Sequence, residues 1–262
     1  MMQIKITKRG RRLIYLGVVV YIVFLVATLP ASFLSSYILP SVQATRGVKL
    51  QSVHGSVWQG YAMDASVNRF NLGRLDWDLS GWGLLFGDID LDVKFKNQNS
   101  KGYGDISFGL GGKTRAQDLE LQFPAEVLQP LVYGMPISFS GELRGSLKLL
   151  EVRRGEVLKS QGRVVWQSAA LRAPQNIELG SFLITLEPMN DGTKMKISDE
   201  GSGPVITDIN LTVKGNGEYK FNGTLKARDE RQQHITEALR LIGRADSSGR
   251  FWIGRSGKLQ NW

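Results

Sequence analysis

The feature that most constrains this chain is an uncharged stretch from residue 13 to residue 45. Within it, residues 13–29 are apolar apart from Gly17 and Thr28. With its continuation to about residue 34, the stretch has the roughly 20 residues that a helix needs to cross about 30 Å of hydrocarbon. It therefore predicts a transmembrane anchor over residues 13–36. The side chains expected to face lipid include Leu13, Leu16, Val20, Phe24 and Leu29.

The charges that flank this stretch predict its orientation. Residues 1–12 carry five Lys and Arg residues and no acid, and Arg46 is the first charge after the stretch. The positive-inside rule then makes residues 1–12 a cytoplasmic basic tail and sends the body across the membrane. A cleaved signal peptide is the alternative. Leu29, however, stands where cleavage near Ala31 would require a small residue, so we expect the anchor to stay.

The rest of the chain offers little for catalysis or nucleic-acid binding. It has no cysteine, and its two histidines, His54 and His234, are 180 residues apart. Residues 13–225 carry 20 basic and 20 acidic side chains, so the body lacks the basic stripe of a nucleic-acid binder. Asp88, Asp90 and Asp92 alternate along one strand, unlike a curled calcium loop. We expect no enzyme activity, cofactor or metal site, and no nucleic-acid partner.

The body has the pattern of a β protein. Residues 88–95, 206–213 and 219–225 alternate between apolar and polar, as expected of antiparallel strands with one buried face. Two short helices are predicted between strands, over residues 124–132 and 233–242. The predicted fold is therefore mainly β, with the N-terminal transmembrane helix followed by a curved, mostly antiparallel β-sheet.

A short motif occurs twice and predicts an internal duplication. The sequence GSVWQG at residues 55–60 has a counterpart in GRVVWQ at residues 162–167, and each is followed by a Leu-Gly pair. We expect two periplasmic β repeats, residues 47–150 and 155–262, that continue one sheet. The motif residues, which we expect to be structural, are Gly55, Trp58, Gly60, Gly73, Trp77, Gly162, Trp166 and Gly180.

The tryptophans of this motif allow two interpretations. Val57 and Trp58 are expected to point to opposite faces of a strand, and the flanking glycines permit a bulge or a close approach of another segment. The indole rings either anchor the ends of the sheet in its core or line a groove for an apolar ligand. The sequence leaves both interpretations open, although repetition in both halves favours the core.

Taken together, these residues resemble the type II secretion system protein N family. The resemblance rests on the basic N-terminus, the span that ends in Leu29-Pro30-Ala31, and the two motifs with their Leu-Gly pairs. It implies a single-pass inner-membrane protein of Gram-negative bacteria with a periplasmic body. It also implies an accessory role in the export of folded periplasmic proteins through the outer membrane, without known catalytic residues.

Two function hypotheses follow, and both lack catalysis. In the first, the chain is a structural component that contacts other type II secretion components, in the inner membrane or periplasm, through its span or sheet edges. In the second, it is a lipid-binding or lipid-transfer module, because the sequence is also distantly similar to AsmA-like proteins, which have curved sheets with apolar grooves. A filled core favours the first, and a continuous apolar channel favours the second.

Overall fold

The computed structural model places every strand of the chain in one sheet. It describes residues 8–33, 36, 47–67, 70–81, 83, 88–109, 112–132, 138–153, 156–173, 176–201, 203–229, 231–240 and 244–258. Thirteen strands are hydrogen-bonded in the order in which they occur along the chain, and every neighbouring pair is antiparallel. This meander confirms the mainly antiparallel β prediction.

The strands vary from 8 to 18 residues in length. In chain order they are β1 Val48–Gly55, β2 Gln59–Val67, β3 Phe70–Ser80, β4 Ile89–Lys96, β5 Lys101–Gly109, β6 Lys113–Pro124, β7 Ser138–Arg153, β8 Glu156–Ala173, β9 Ile177–Met189, β10 Gly192–Asp199, β11 Val205–Val213, β12 Glu218–Ala227 and β13 Phe251–Lys258.

The helices are few. They are α1 Lys8–Ala27, the single turn α2 Ala31–Phe33, a 3-10 helix Ala125–Val132 and α3 Gln233–Arg240. From Ile14 to Val26, α1 exposes large apolar side chains. None of the helices, as far as the described residues extend, is both long enough and apolar enough to count as a membrane span.

The boundaries of the predicted helices need correction. The predicted anchor over residues 13–36 is not one helix, because α1 ends at Ala27 and Pro30 has no N–H to continue it. Residues 124–132 form a 3-10 helix that starts at Ala125, because Pro124 belongs to β6. The predicted helix over 233–242 corresponds to α3, which ends at Arg240, and residues 241–243 lie outside the described residues.

The direction of the strands separates the helices in space. In an antiparallel meander, alternate turns lie at the same end of the strands. The end of α1 lies beside the β1–β2 turn, whereas the 3-10 helix and α3 follow β6 and β12, which run towards the opposite end. The two short helices therefore lie at the far side of the sheet from α1.

The sheet is open rather than compact. The chain exposes 17986 Å² of surface, whereas a compact monomer of 29.1 kDa exposes roughly 11,400 Å². The excess is expected of a single layer, because a single sheet has no partner layer to remove its faces from water. What the apolar side chains of this layer contact is therefore the central structural question.

Candidate interaction surfaces

One row of residues crosses all thirteen strands without a polar side chain. The register pairs each member with the next on the neighbouring strand. This apolar row consists of Val53, Ala62, Leu75, Phe95, Gly102, Leu121, Gly145, Val164, Ile184, Ile197, Ile209, Gly223 and Ile253. Twelve inter-strand spacings of about 4.8 Å give it a contour length of roughly 58 Å.

In each strand, one of the two residues that flank this row is polar or, at Gly254, lacks a side chain. The equivalent polar row consists of His54, Tyr61, Asp76, Lys94, Tyr103, Glu120, Ser146, Arg163, Thr185, Lys196, Asn210, Asn222 and Gly254. On the other flank, Met63, Val165, Leu183 and Trp252 are apolar. Because strand side chains alternate with a period of two, the face opposite the apolar row is mainly, but not entirely, polar.

The apolar face is only partly shielded. Every side chain of the apolar row that is larger than alanine is half-buried. Some of its neighbours on the same strands, such as Leu119 and Phe182, are buried. All thirteen strands that the structure describes lie in one sheet, so no second sheet formed by the described residues covers this face. It is therefore a continuous apolar surface of the kind that the lipid-binding hypothesis requires.

The N-terminal end of this face is closed by the segment that follows α1. Ala31 packs with Ala62 and Trp77 in a buried cluster. The backbone continues this contact, since the Val57 N–H donates to the carbonyl of Leu29 at 2.9 Å and Pro30 forms a β-bridge with Ser56. The end of α1 is thus joined directly to the first hairpin of the sheet.

The C-terminal end is closed by α3. Ile235 and Leu239 project from one side of this helix into a buried cluster with Val205, Ala227 and Phe251. Near it, the Asp246 carboxylate accepts hydrogen bonds from the Ser248 hydroxyl and from the Trp252 indole. These hydrogen bonds, of which the one from Ser248 has the largest effect, hold the pKa of Asp246 far below its ordinary value. Buried clusters therefore lie at both ends of the apolar row.

The three motif tryptophans that the sequence singled out all donate to backbone carbonyls. The indole Nε1 of Trp58 donates to Val26 in the last turn of α1 at 2.9 Å. Those of Trp77 and Trp166 donate to Val57 at 3.2 Å and to Ser140 at 3.1 Å. Such bonds tie neighbouring segments together, which is the behaviour of anchors rather than of groups held free for a ligand.

The position of Trp58 corrects its predicted setting. Val57 and Trp58 do not lie on a strand with opposite faces, because β1 ends at Gly55 and β2 begins at Gln59. Gly55 has a φ of 95° in this turn, which favours glycine. A Cβ on Gly60 would lie 2.6 Å from the Trp77 ring, so this glycine allows the ring to pack closely.

The two Leu-Gly pairs lie in similar hairpins, but the tryptophans do not match. Gly73 pairs with Ala65 after a bulge in β2, and Gly180 pairs with Ala169 after a bulge in β8. Both alanines are buried. Trp58 lies seven residues before Ala65, whereas Trp166 lies only three residues before Ala169. Gly162 lies earlier in β8, opposite Leu147. The duplication of residues 47–150 and 155–262 stays a prediction.

One ion-paired carboxylate is buried in the middle of the sheet. Glu151 on β7 contacts Lys113 and Arg115 on β6, each at 3.0 Å. Burial by itself raises the pKa of Glu151, but the hydrogen bonds from the two cations outweigh it and leave the pKa below its ordinary value. Glu151 is therefore charged at neutral pH and joins these two strands.

A row of carboxylates crosses β3, β4 and β5 on the polar face. Asp78 pairs with Asp92, and Asp92 with Asp105. A hydrogen bond with Asp92, together with burial, raises the pKa of Asp105. The described part of the chain contains no group of three or more His, Asp or Glu residues arranged to hold a metal ion. The arrangement is that of mutually repelling surface carboxylates.

Sequence reasoning missed the continuity of the apolar row. The alternation within single strands was visible, but whether the apolar side of one strand meets that of the next depends on register. The sequence did contain a signal. When successive strands are paired as hairpins, their apolar and glycine residues lie opposite one another. The bulges at residues 62–65 and 166–169 hide that phase from a simple count.

A known protein family matches nearly the whole sheet. The sequence profile described as "Type II secretion system (T2SS), protein N" matches residues 46–254, which cover β1 to β12 and half of β13. The chain belongs to the type II secretion system protein N family. The resemblance found in the sequence is thereby confirmed.

Several type II secretion system N proteins are similar to it over most of their length. The one from Aeromonas hydrophila is 27% identical over 252 residues, covering 93% of this chain and 96% of its own. The one from Vibrio cholerae is 26% identical over 218 residues, covering 81% and 86%. The one from Klebsiella pneumoniae is 26% identical over 263 residues, covering 90% and 92%. No solved structure matches the chain.

Proposed function

We propose that this protein is a non-catalytic accessory component of the type II secretion system. In this role it is anchored in the inner membrane by its N-terminal segment, with a cytoplasmic N-terminus and a periplasmic body, and helps to export folded periplasmic proteins. Membership of the N protein family supports the secretion role. The observation that carries the anchored arrangement is the joint between the end of α1 and the first hairpin, which gives a membrane segment a rigid connection to the sheet.

The contacts at this joint support an orienting role for it. The Trp58 indole donates to the carbonyl of Val26, which also accepts from the backbone N–H of Leu29 at 3.3 Å. Val57 bonds to Leu29, and Ala31 is fully buried. These bonds connect the residues on either side of the break after α1. In the proposed arrangement they hold the first hairpin, and with it the apolar row, at a fixed angle to the membrane helix.

The anchor is tested by extraction of membranes with alkaline carbonate. We expect the native chain to stay in the pellet, because the uncharged stretch from residue 13 to residue 45 interacts with lipid. The variant Val20→Arg/Phe24→Arg places two charges in the stretch and should be released. A control variant, Lys5→Gln/Lys8→Gln, keeps the stretch apolar. Release of the native chain would contradict the anchor, as would retention of the doubly charged variant.

The secretion role is tested separately in cells that lack the chain. We expect a secreted cargo of the system to accumulate in the periplasm of these cells, and the native chain to restore its export. We also expect the detergent-solubilised chain to co-purify with inner-membrane or periplasmic proteins of the same system. Normal export without the chain, and no secretion component in the purified sample, would contradict the role.

The uncovered apolar row favours a second candidate, an AsmA-like lipid-binding or lipid-transfer module. The half-buried middle of this row, between its two closed ends, offers acyl chains an apolar surface along the sheet. The full chain in mild detergent should then retain phospholipid in native mass spectra. The variant Ile184→Asp/Ile197→Asp should lose it, and Thr185→Asp/Lys196→Asp, on the opposite face of the same strands, should not. Equal retention by both variants would reject the lipid path.

A further inference from the structure

The polar face contains a cationic hollow that neither function uses. It encloses about 600 Å³ over the strands from β3 to β8. Five basic side chains line it: Lys94, Lys96, Lys101, Arg144 and Arg163. Only two acids, Asp76 and Glu120, lie among them. Arg144 is ion-paired with Glu142. The hollow therefore carries an excess of basic side chains, although the body of the chain as a whole is neutral.

The lysines of this cationic hollow are placed where they repel one another. Lys96 on β4 is paired directly with Lys101 on β5, and Lys94 is paired with Tyr103. Directly opposed side chains of an antiparallel pair have Cβ atoms about 4.5–5.5 Å apart, and like charges at such positions destabilise the sheet. Three ammonium groups and one phenol thus occupy the corners of a small rectangle.

On the other side of β4, Lys94 is paired directly with Asp76 of β3, whereas Lys96 is paired with Arg74. Within the described residues, none of the three lysines takes part in an ion pair. The two acids of the hollow are already engaged. The carboxylate of Asp76 accepts from Arg74, and that of Glu120 accepts from the Ser146 hydroxyl at 2.6 Å.

In the second half of the sheet, the lysines of the polar face have different neighbours. Lys196 lies 3.9 Å from the carboxylate of Asp208. Lys194 and Lys220 are separated by Thr212, which pairs with both. The unpaired, directly opposed lysines are thus specific to the hollow, and they are not a general property of this face.

We propose that the cationic hollow binds an acidic, extended segment of a partner polypeptide. Carboxylates on alternate residues of an extended chain are about 6.5–7 Å apart, the same spacing as Lys94 and Lys96 along β4. The aliphatic stems of the basic residues and Val165 supply apolar contact, and the Tyr103 side chain, 53% exposed, is available to donate to a carboxylate. A bilayer surface is planar and does not enter such a depression. Most residues that line the hollow lie on the polar face, although Phe95, Gly102, Leu121 and Gly145 of the apolar row also line it.

The proposal is tested with the full chain in a zwitterionic detergent and a fluorescein-labelled decaglutamate peptide. We expect saturable binding by fluorescence anisotropy that weakens as salt is raised. The variant Lys96→Gln/Lys101→Gln should weaken it by about tenfold. The control variant Lys194→Gln/Lys220→Gln removes the same charge from the same face and should change it less than about twofold. The variant Lys96→Gln/Lys101→Gln, called the hollow variant, should be at least as stable to unfolding as the native chain when followed by circular dichroism, because the repulsion between the two lysines is removed.

Other outcomes would overturn the proposal. Equal weakening by both variants would show attraction to net charge rather than to the hollow. Full displacement of the peptide by an equal charge concentration of inorganic phosphate would indicate a small-anion site. Binding to phosphatidylglycerol vesicles that is lost only in the hollow variant would assign the lysines to a membrane surface. None of these outcomes bears on the anchor or on secretion, which are tested separately.

Discussion

The two ends of the apolar row differ from its middle. At the ends, Trp77 and Phe251 are 5% and 3% exposed and lie in buried clusters with residues from the segment after α1 and from α3. In the middle, Ile184 and Ile197 carry equally apolar side chains that stay half-buried. The same alternating pattern thus forms buried clusters with helical segments at the two ends. In the middle, Phe182 is buried beside half-buried Ile184, so burial there is uneven along the strand.

The largest effect that distinguishes the ends from the middle is expected at Trp77. Replacement by alanine empties the N-terminal cluster and removes the hydrogen bond to Val57, so Trp77→Ala should lower the free energy of unfolding by about 3–5 kcal/mol. Urea unfolding of the full chain, followed by circular dichroism, measures it. Trp252→Ala is the control, because that ring is 64% exposed and its loss should cost less than about 1 kcal/mol. Similar losses for the two variants would mean that the cluster is not a core.

At the other end, Leu239→Ala should cost about 2–4 kcal/mol, because Leu239 is 5% exposed in the C-terminal cluster. In a meander each strand contacts mainly its neighbours, so we expect the damage to stay local. Hydrogen exchange should accelerate in β11–β13 and change little in β1–β4. Equal acceleration throughout would show that the two ends unfold as one unit.

Between the ends, Glu151 provides polar stabilisation. Glu151→Gln should cost about 1–2 kcal/mol, because two cations lose their partner and one of them, Arg115, is partly exposed and screened by water. The pKa of Glu151 is lowered in the folded chain. Its carboxylate therefore contributes fully to folding stability above the ordinary pKa of a glutamate, and this contribution is lost as the pH falls through the lowered value. The native chain and the variant should therefore become equally stable on acidification. A difference in stability that stays constant down to strongly acidic pH would contradict the ion pair.

The smallest effect is expected in the open middle. Ile197→Ala removes apolar atoms that are already half in contact with water, so it should cost only about 1 kcal/mol. Chemical denaturation of the full chain measures it, with Leu239→Ala as the reference for a covered position. A loss as large as that of the reference would show that the middle of the row is covered in the free protein.

Much of this architecture could be predicted from sequence, and the parts that could not depend on contacts between distant segments. Residues 88–95 predicted β4 to within one residue, because alternation is a local signal. The role of Trp58 was not predictable, because its partner, Val26, lies 32 residues away. The difference between Trp58 and Trp166 was hidden as well, because the similar spacing of each tryptophan from its Leu-Gly pair does not reveal where a bulge shifts the register.

The sequence by itself determined that this chain is a β protein with an apolar N-terminal segment and two-faced strands. Those properties follow from composition and from periods of a few residues, which the local backbone converts directly into strands and helices. Only the tertiary structure decided that the apolar sides of thirteen strands join into one row, that both of its ends are covered, and that Lys96 opposes Lys101. Each of these depends on register, and a shift of one residue would move every side chain of a strand to the other face.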